Sequence, residues 1–297
     1  MIVERPDDVT AAVLAVMERT ENPRLREIMV ALVTHLHGFV RDVHLTEAEM
    51  RSCAEVLSEM GRQSTPTNNE TVLMAGSLGV SALVCLLNNG ENGTVETSQS
   101  LLGPFWRMHS PRVENGGTII RSPTPGPPML ARFRVQDRAG APIAGAEVDI
   151  WHSSPVGLYE TQDPGQADMN LRGKFTTDDE GRFWFRSVRP AGYPIPTDGM
   201  VGRLLEAQGR HPFRPAHIHA LVYKPGYKTL TSQVYADDDP KLETDVQFGV
   251  TRALTAHLQR QDAPHPTQTD LPAPWYSLDF TFTMEPGEAT LPRPPIK

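Results

Sequence analysis

The feature that most constrains the fold is a change of hydrophobic period near residue 103. Upstream of it proline is sparse and apolar residues recur at three- and four-residue steps. In PRLREIMVALVTHLHGFVRDV, Leu25, Ile28, Leu32, Leu36 and Phe39 or Val40 form one stripe, the pattern of an amphipathic helix. Thr46 and Glu49 in TEAE have capping-box spacing, so another helix is expected to start there and run to about Gly61. ETVLMAGSLGVSALVCLLNN, residues 70–89, reads as one helix with apolar residues on most sides. Such a helix must be covered all round, by its neighbours or by a second subunit. Three or four helices are expected in all.

Downstream, proline and glycine become frequent and the period becomes two. Ala131, Phe133 and Val135 alternate with polar residues in ARFRVQD, and Val148 and Ile150 do so in AEVDIWH. DDEGRFWFRSV sets an acidic-Gly turn before an aromatic strand, and AHIHALVYKPG and SLDFTFTM add two more. Many short strands separated by turns favour a β-sandwich over a parallel α/β sheet. The expected architecture is α+β: a helical N-terminal region, residues 1–103, then an all-β sandwich core, residues 104–297. The helices are expected to pack on the sandwich or to form a dimer interface.

Composition narrows the function. A net charge of −8, with no run of Lys and Arg longer than two, provides no electrostatic footprint for nucleic acid. No apolar stretch approaches the about 20 residues of a membrane helix, so no membrane partner is expected. The start, MIVERPDDVTAAVLAVM, lacks the order of a signal peptide. Cys53 and Cys85 fall in helical segments without C-x-x-C spacing, and read as buried free thiols of a cytoplasmic protein.

RPAHIH, residues 214–219, carries the strongest hint of chemistry. On a strand, residues i and i+2 share a face, so His217 and His219 project side by side. In a chain with 10 histidines, that pair alone is also satisfied by two ordinary hydrogen-bonded imidazoles. A zinc site would need a third ligand, for which His211 is available on a polar loop. The 2-His-1-carboxylate pattern fails, because the residue two after His217 is itself a histidine. Tyr159, just beyond the strand ending in DIWH, and Tyr193, between Gly192 and Pro194, occupy unusual settings for structural residues. A phenol ordinarily titrates near about 10, but it ionises on a ferric ion, which favours a hard anionic oxygen. The structural alternative is a half-buried ring with its hydroxyl at the surface, and it is retained for Tyr223, Tyr227, Tyr235 and Tyr276. Asp198 and Asp239 read as turn residues.

Tyr159, Tyr193, His217 and His219 occur in that order within a longer pattern: LLGPFW (101–106), GAEVDIWHSSPVGLYE (145–160), GYPIPTDG (192–199), RPAHIH (214–219) and TSQVYADDDP (231–240). This text resembles the intradiol aromatic-ring-cleaving dioxygenases. NPRLREIMVALVTHLHGFVRDVHLTEAE is similar to the helical front of their catechol and hydroxyquinol branch. The resemblance implies one non-haem Fe³⁺ per subunit on Tyr159, Tyr193, His217 and His219, with hydroxide as a fifth ligand. It implies that Tyr193 and His219 are axial, and that an aromatic diol displaces Tyr193 and the hydroxide as these take its two protons. O₂ is then inserted between the hydroxylated carbons to give a cis,cis-muconate-type diacid.

By the same resemblance Arg214 stabilises negative charge on the ring, and Gln233 steers the iron and substrate surroundings. Leu73, Leu102, Gly103, Phe105, Ile195 and Pro196 form the pocket walls. Ile195 and Pro196 look more like hydroxyquinol than catechol 1,2-dioxygenases, so hydroxyquinol leads and catechol or a substituted catechol is the alternative. Gly76 stands where hydroxyquinol enzymes typically carry an aspartate, and Gln247 where they tend to carry a small apolar residue. Both belong to the expected substrate-binding set. A homodimer through the N-terminal helices, with a lipid in an apolar tunnel at the interface, is also implied. The rival reading from residues alone is a β-sandwich binding module whose H-x-H pair is incidental.

Overall fold

The computed structural model describes residues 2–65, 68–88, 97–268 and 271–294. The chain divides into two compact units, Met1–Glu59 and Met60–Lys297. The first contains α1 (Pro6–Met17), α2 (Pro23–Asp42) and most of α3 (Glu47–Gln63). Asn22 caps α2, its Oδ1 accepting the N–H groups of Arg24 and Leu25, with proline at the first helical position. The expected capping box opens α3: Thr46 Oγ1 accepts the Glu49 N–H at 3.3 Å, and the Glu49 carboxylate accepts the Thr46 N–H at 2.8 Å. Leu25, Ile28, Leu32, Leu36 and Phe39 do form one face of α2, and each is about half exposed.

The second unit opens with α4 (Glu70–Ser77) and α5 (Val80–Asn88). Here the structure corrects the expectation of one helix over 70–89: the two segments are inclined at 74°. Gly79 sits at φ +74 and turns the chain where a β-carbon would be strained. Among the described residues five helices therefore precede the strands, and Asn89 lies outside the described residues. Nor is the segment covered all round. Glu70, Leu73, Gly76, Ser77 and Ala82 are buried, whereas Val72, Leu83, Val84 and Leu87 are exposed. Among the described residues no single helix is long and apolar enough to cross a membrane. The thiols also differ from expectation: neither forms a disulfide, but Cys53 is exposed and Cys85 only half-buried. Only Met60 of α3 is buried, which leaves Cys53 on an open face.

Period-two text becomes two sheets. The first is ordered β10-β11-β1-β4, from β1 (Pro128–Gln136), β4 (Arg182–Val188), β10 (Gln259–Gln261) and β11 (Trp275–Thr283). The second is ordered β3-β2-β7-β8-β9, from β2 (Glu147–His152), β3 (Arg172–Thr176), β7 (His217–Tyr223), β8 (Leu230–Ala236) and β9 (Thr255–Ala256). Phe133, Phe183, Phe185 and Phe282 from one sheet share a buried core with Val148, Ile150, Phe175, Ile218, Ala220 and Val222 from the other. Because Ile218, Ala220 and Val222 face that core, alternation sends His217, His219 and Leu221 to the outer face of the five-stranded sheet.

A ribbon of β5 (Tyr193–Pro194) and β6 (Phe213–Arg214), with α6 (Met200–Ala207) between them, lies over that outer face. Glu70 of α4 joins it to the helices: its Oε2 accepts the Val201 N–H at the start of α6 at 3.0 Å, where a carboxylate is favoured by the helix dipole. A Cβ at Gly199 would sit 2.5 Å from Glu70 Cδ, so only glycine admits this approach. The anchored α4 buries Leu73 with Ile195, Val201, Leu205 and Val246.

Candidate active site

Sheet register assembles the site. Strand pairing sets Trp151 opposite His219, His219 opposite Gln233, and His217 opposite Tyr235; the ribbon sets Tyr193 opposite Arg214. Tyr159 arrives from the loop after β2, and Phe105 stacks on its ring with centroids 4.2 Å apart. Tyr193 meets the Tyr159 ring edge-on at 5.5 Å. Gly103, at φ +73, lays the 101–105 segment directly on an imidazole: a Cβ there would be 3.1 Å from His219 Cε1.

The protonation pattern follows from the partners. His217 Nδ1 is 2.7 Å from the Pro215 carbonyl, which only accepts, so Nδ1 carries the hydrogen and Nε2 keeps its lone pair. That Nε2 lies 3.1 Å from His219 Nε2 and 3.4 Å from Tyr193 Oη. Burial, reinforced by Arg214, lowers the His217 pKa to about 3; burial and then His217 hold His219 well below its ordinary value. Both rings are neutral. Burial, then the neighbouring Tyr193, push the Tyr159 phenol well above its usual range, and burial raises Tyr193. The buried Tyr159 hydroxyl faces Tyr193 but makes no hydrogen bond of good geometry. The Tyr159 hydroxyl and His219 Nδ1 are buried without a partner, while His219 Nε2 meets the His217 lone pair, and such unsatisfied groups are costly by themselves. They suit a hard trivalent cation, which ionises the phenols and takes the imidazole lone pairs.

His211, the third ligand of a zinc reading, is elsewhere engaged, its Nε2 2.8 Å from Thr244 Oγ1. Among the described residues no group of three or more His, Cys, Asp or Glu side chains could hold a metal. His152 is buried at the end of β2, with Nδ1 on the Ser153 carbonyl and Nε2 on Ser187 Oγ, each at 2.8 Å.

Arg214 is buried, 2 % exposed. Its Nε and Nη2 donate to Asp245 at 3.1 and 3.0 Å, and Nη2 also donates to Gln233 Oε1 at 2.9 Å and Tyr235 Oη at 2.6 Å. Burial opposes its charge, but Tyr235 and Asp245 more than offset that and hold its pKa above the ordinary value. Gln233 Nε2 donates to the Leu101 carbonyl at 2.6 Å, tying the network to the loop over His219.

The expectation for Tyr235 is also corrected: it is fully buried, and its hydroxyl donates to Gln233. The signal was present, since Gln233 and Tyr235 are two apart on β8, as the histidines are on β7. Asp245 had no such signal; it comes from a turn far along the chain. Asp239 is a turn residue as expected, its Oδ2 accepting the Ala216 N–H at 2.8 Å.

Leu73, Gly76, Leu102, Gly103, Phe105, Ile195, Pro196 and Gln247 all line one cavity of about 520 Å³, and Tyr193 and Arg214 line it too. Thr65, Asn68, Asn69, Ser81 and Arg293 also line it and were not anticipated. A depression of similar volume on the other sheet contains none of the four candidate ligands.

A family model described as Dioxygenase matches residues 102–285, and one described as Catechol dioxygenase N terminus matches residues 22–94. The chain belongs to the intradiol ring-cleavage dioxygenases, enzymes that use non-haem iron. It is 38% identical over 275 residues to the hydroxyquinol 1,2-dioxygenase of Rhizobium sp. (strain MTP-10005), covering 92% of each chain. It is 37% identical to the catechol 1,2-dioxygenase of Candida albicans, covering 81% of this chain and 80% of that one. The crystal structure of hydroxyquinol 1,2-dioxygenase from Pseudomonas putida DLL-E4 superposes with a TM-score of 0.88 at 35% identity, over 95% of this chain and 99% of that one.

Proposed function

We propose that this enzyme cleaves hydroxyquinol (benzene-1,2,4-triol) between its two adjacent hydroxylated carbons, using O₂, to 3-hydroxy-cis,cis-muconate or its tautomer maleylacetate. One observation carries the reading. Two tyrosines and two neutral imidazoles gather beside a cavity that Tyr193 and Arg214 line together with the expected substrate-binding residues. Tyr159, Tyr193, His217 and His219 hold one Fe³⁺ per subunit. A ferric ion in this setting draws electron density from a bound diol and so opens its ring carbon to O₂.

The chain's own side chains do the rest. Tyr193 Oη, 3.4 Å from His217 Nε2, would be held as a phenolate by the ferric ion and in that form would be the base that takes a proton from a diol hydroxyl. Arg214, fixed by Asp245, Gln233 and Tyr235, presents a permanent positive charge to the ring. Phe105, Leu73, Ile195 and Pro196 hold the ring and exclude water.

A second reading, catechol or a substituted catechol as substrate, is favoured by Gly76 and Gln247, which depart from the hydroxyquinol pattern. The chain acts as a cytoplasmic homodimer through its N-terminal helices, with a lipid on the apolar helices. The half-exposed stripe of α2 and the exposed Leu83, Val84 and Leu87 of α5 support this.

The test is a visible spectrum of the iron-loaded protein, titrated without air with hydroxyquinol and then catechol. A broad phenolate-to-iron band that shifts at lower hydroxyquinol concentration is expected. A preferential shift with catechol selects the second reading, and a colourless iron-loaded protein overturns the ligand set.

A further inference from the structure

A buried charge network behind Tyr159 has no part in the chemistry described so far. Arg172, at the start of β3, is 1 % exposed. Its Nε and Nη2 donate to Glu160 Oε1 and Oε2 at 2.7 and 2.8 Å, a bidentate fork. Its Nη1 donates to the Phe105 carbonyl at 2.6 Å, and its Cζ lies 5.9 Å from the Tyr159 ring centroid. Every donor group of this arginine that the structure pairs therefore goes to one of two places: the residue that follows Tyr159, or the backbone of the residue that stacks on it. Arg107 extends the network, with Nη1 3.0 Å from Glu160 and 2.6 Å from Asp168.

Two arginines and two carboxylates balance in charge, so the network puts little net field on the site. A buried ion pair is also a poor source of stability, because desolvation of both partners opposes their attraction. What a planar fork does supply is direction: a guanidinium held at both carboxylate oxygens cannot rotate, and an ammonium cannot reproduce that. The direction here is imposed on the Tyr159 backbone through Glu160 and on the face of its ring through Phe105.

We infer that Arg172 is a positioning residue for the Tyr159 phenol: it sets the angle at which the oxygen meets the metal, and with it the seat of Phe105 in the cavity wall. The inference rests on the reading of Tyr159 as an iron ligand. It assigns a task to Arg172, Glu160 and Phe105 jointly, with Arg107 as an outer support.

The experiment compares the full-length, iron-loaded wild type with Arg172→Lys and with the paired Arg172→Met/Glu160→Met. The pair removes the fork without leaving a charge unpaired, and so remains informative if the lysine variant fails to fold. The readouts are iron per chain, thermal midpoint, the phenolate-to-iron band with its resonance Raman tyrosinate modes, and kcat and KM for a diol. Expected are iron near one per chain, a shifted band with altered tyrosinate modes, and a kcat lower by ~10-fold or more with a smaller change in KM. Folded, iron-replete variants with the wild-type band and kcat overturn the inference alone. A colourless iron-loaded wild type overturns the ligand reading and this inference with it.

Discussion

Gly76 and Gln247 face each other across the cavity: a Cβ on Gly76 would lie 3.2 Å from both Cδ and Nε2 of Gln247. The two departures from the hydroxyquinol pattern are thus one contact. The amide of Gln247 occupies space that a side chain at position 76 would need, so neither residue can be understood without the other.

On the proposed reading, this contact should control which ring substituent is accepted. Gly76→Asp combined with Gln247→Val places a carboxylate where a third ring hydroxyl could donate to it. The ratio of kcat/KM for hydroxyquinol over catechol is expected to rise by ~10-fold or more, since discrimination through a buried hydrogen bond is steep. Gly76→Asp alone crowds Gln247 and should raise KM for both diols. Steady-state kinetics on the two substrates decides it; an unchanged ratio in the double variant would remove this contact from substrate choice.

Arg214 and Asp245 are a buried pair, each side chain 2 % exposed. Arg214→Met leaves the Asp245 carboxylate buried without its partner and should cost about 3–5 kcal/mol of stability. Adding Asp245→Asn should recover much of that loss in chemical denaturation. Activity should stay low in both variants, because the positive charge beside the ring is gone. Recovery of kcat together with stability would argue against an electrostatic role for Arg214.

Acid should destabilise the holoenzyme through His152. Burial lowers its pKa to about 4, against about 6.5 for an unfolded histidine. The unfolded chain therefore binds the proton more readily. The stability due to neutral His152 is complete above the unfolded value and is lost as pH falls from about 6.5 towards the folded value, by up to about 3 kcal/mol. Urea denaturation between pH 7.5 and 4.5 should show this slope, and His152→Gln should show less of it. An equal slope in the variant would assign the loss to other groups.

The stripe on α2 predicts association. Leu32→Glu with Leu36→Glu introduces charges on two half-exposed leucines of that face. Light scattering should show the particle mass falling from that of two chains towards the 32.8 kDa of one. A mass that stays at two chains would place the interface elsewhere.

Much of this protein was legible before folding because it depends on local periods. The alternation in AHIHALV fixes which face of β7 bears His217 and His219, and Phe133 and Val135 announce the sandwich core in the same way. The TEAE cap marked the start of α3. The cavity residues were readable only through resemblance, since Leu73 and Gln247 have no local pattern in common. The break in the expected helix over 70–89 had no such signal, because a mostly apolar composition does not register the single backbone angle at Gly79 that bends it.

The sequence alone determined the change from helical to strand period, the sign of the overall charge and the two residue types, tyrosine and histidine, proposed to hold a ferric ion, because these follow from side-chain chemistry and from periods of a few residues. Tertiary structure decided the partners: Asp245 beneath Arg214, Tyr235 on Gln233, Gln247 over Gly76, and Arg172 between Glu160 and Phe105. These contacts join residues from separate strands and loops. Their distances are set by strand register and by close packing of the whole chain, which no local stretch encodes.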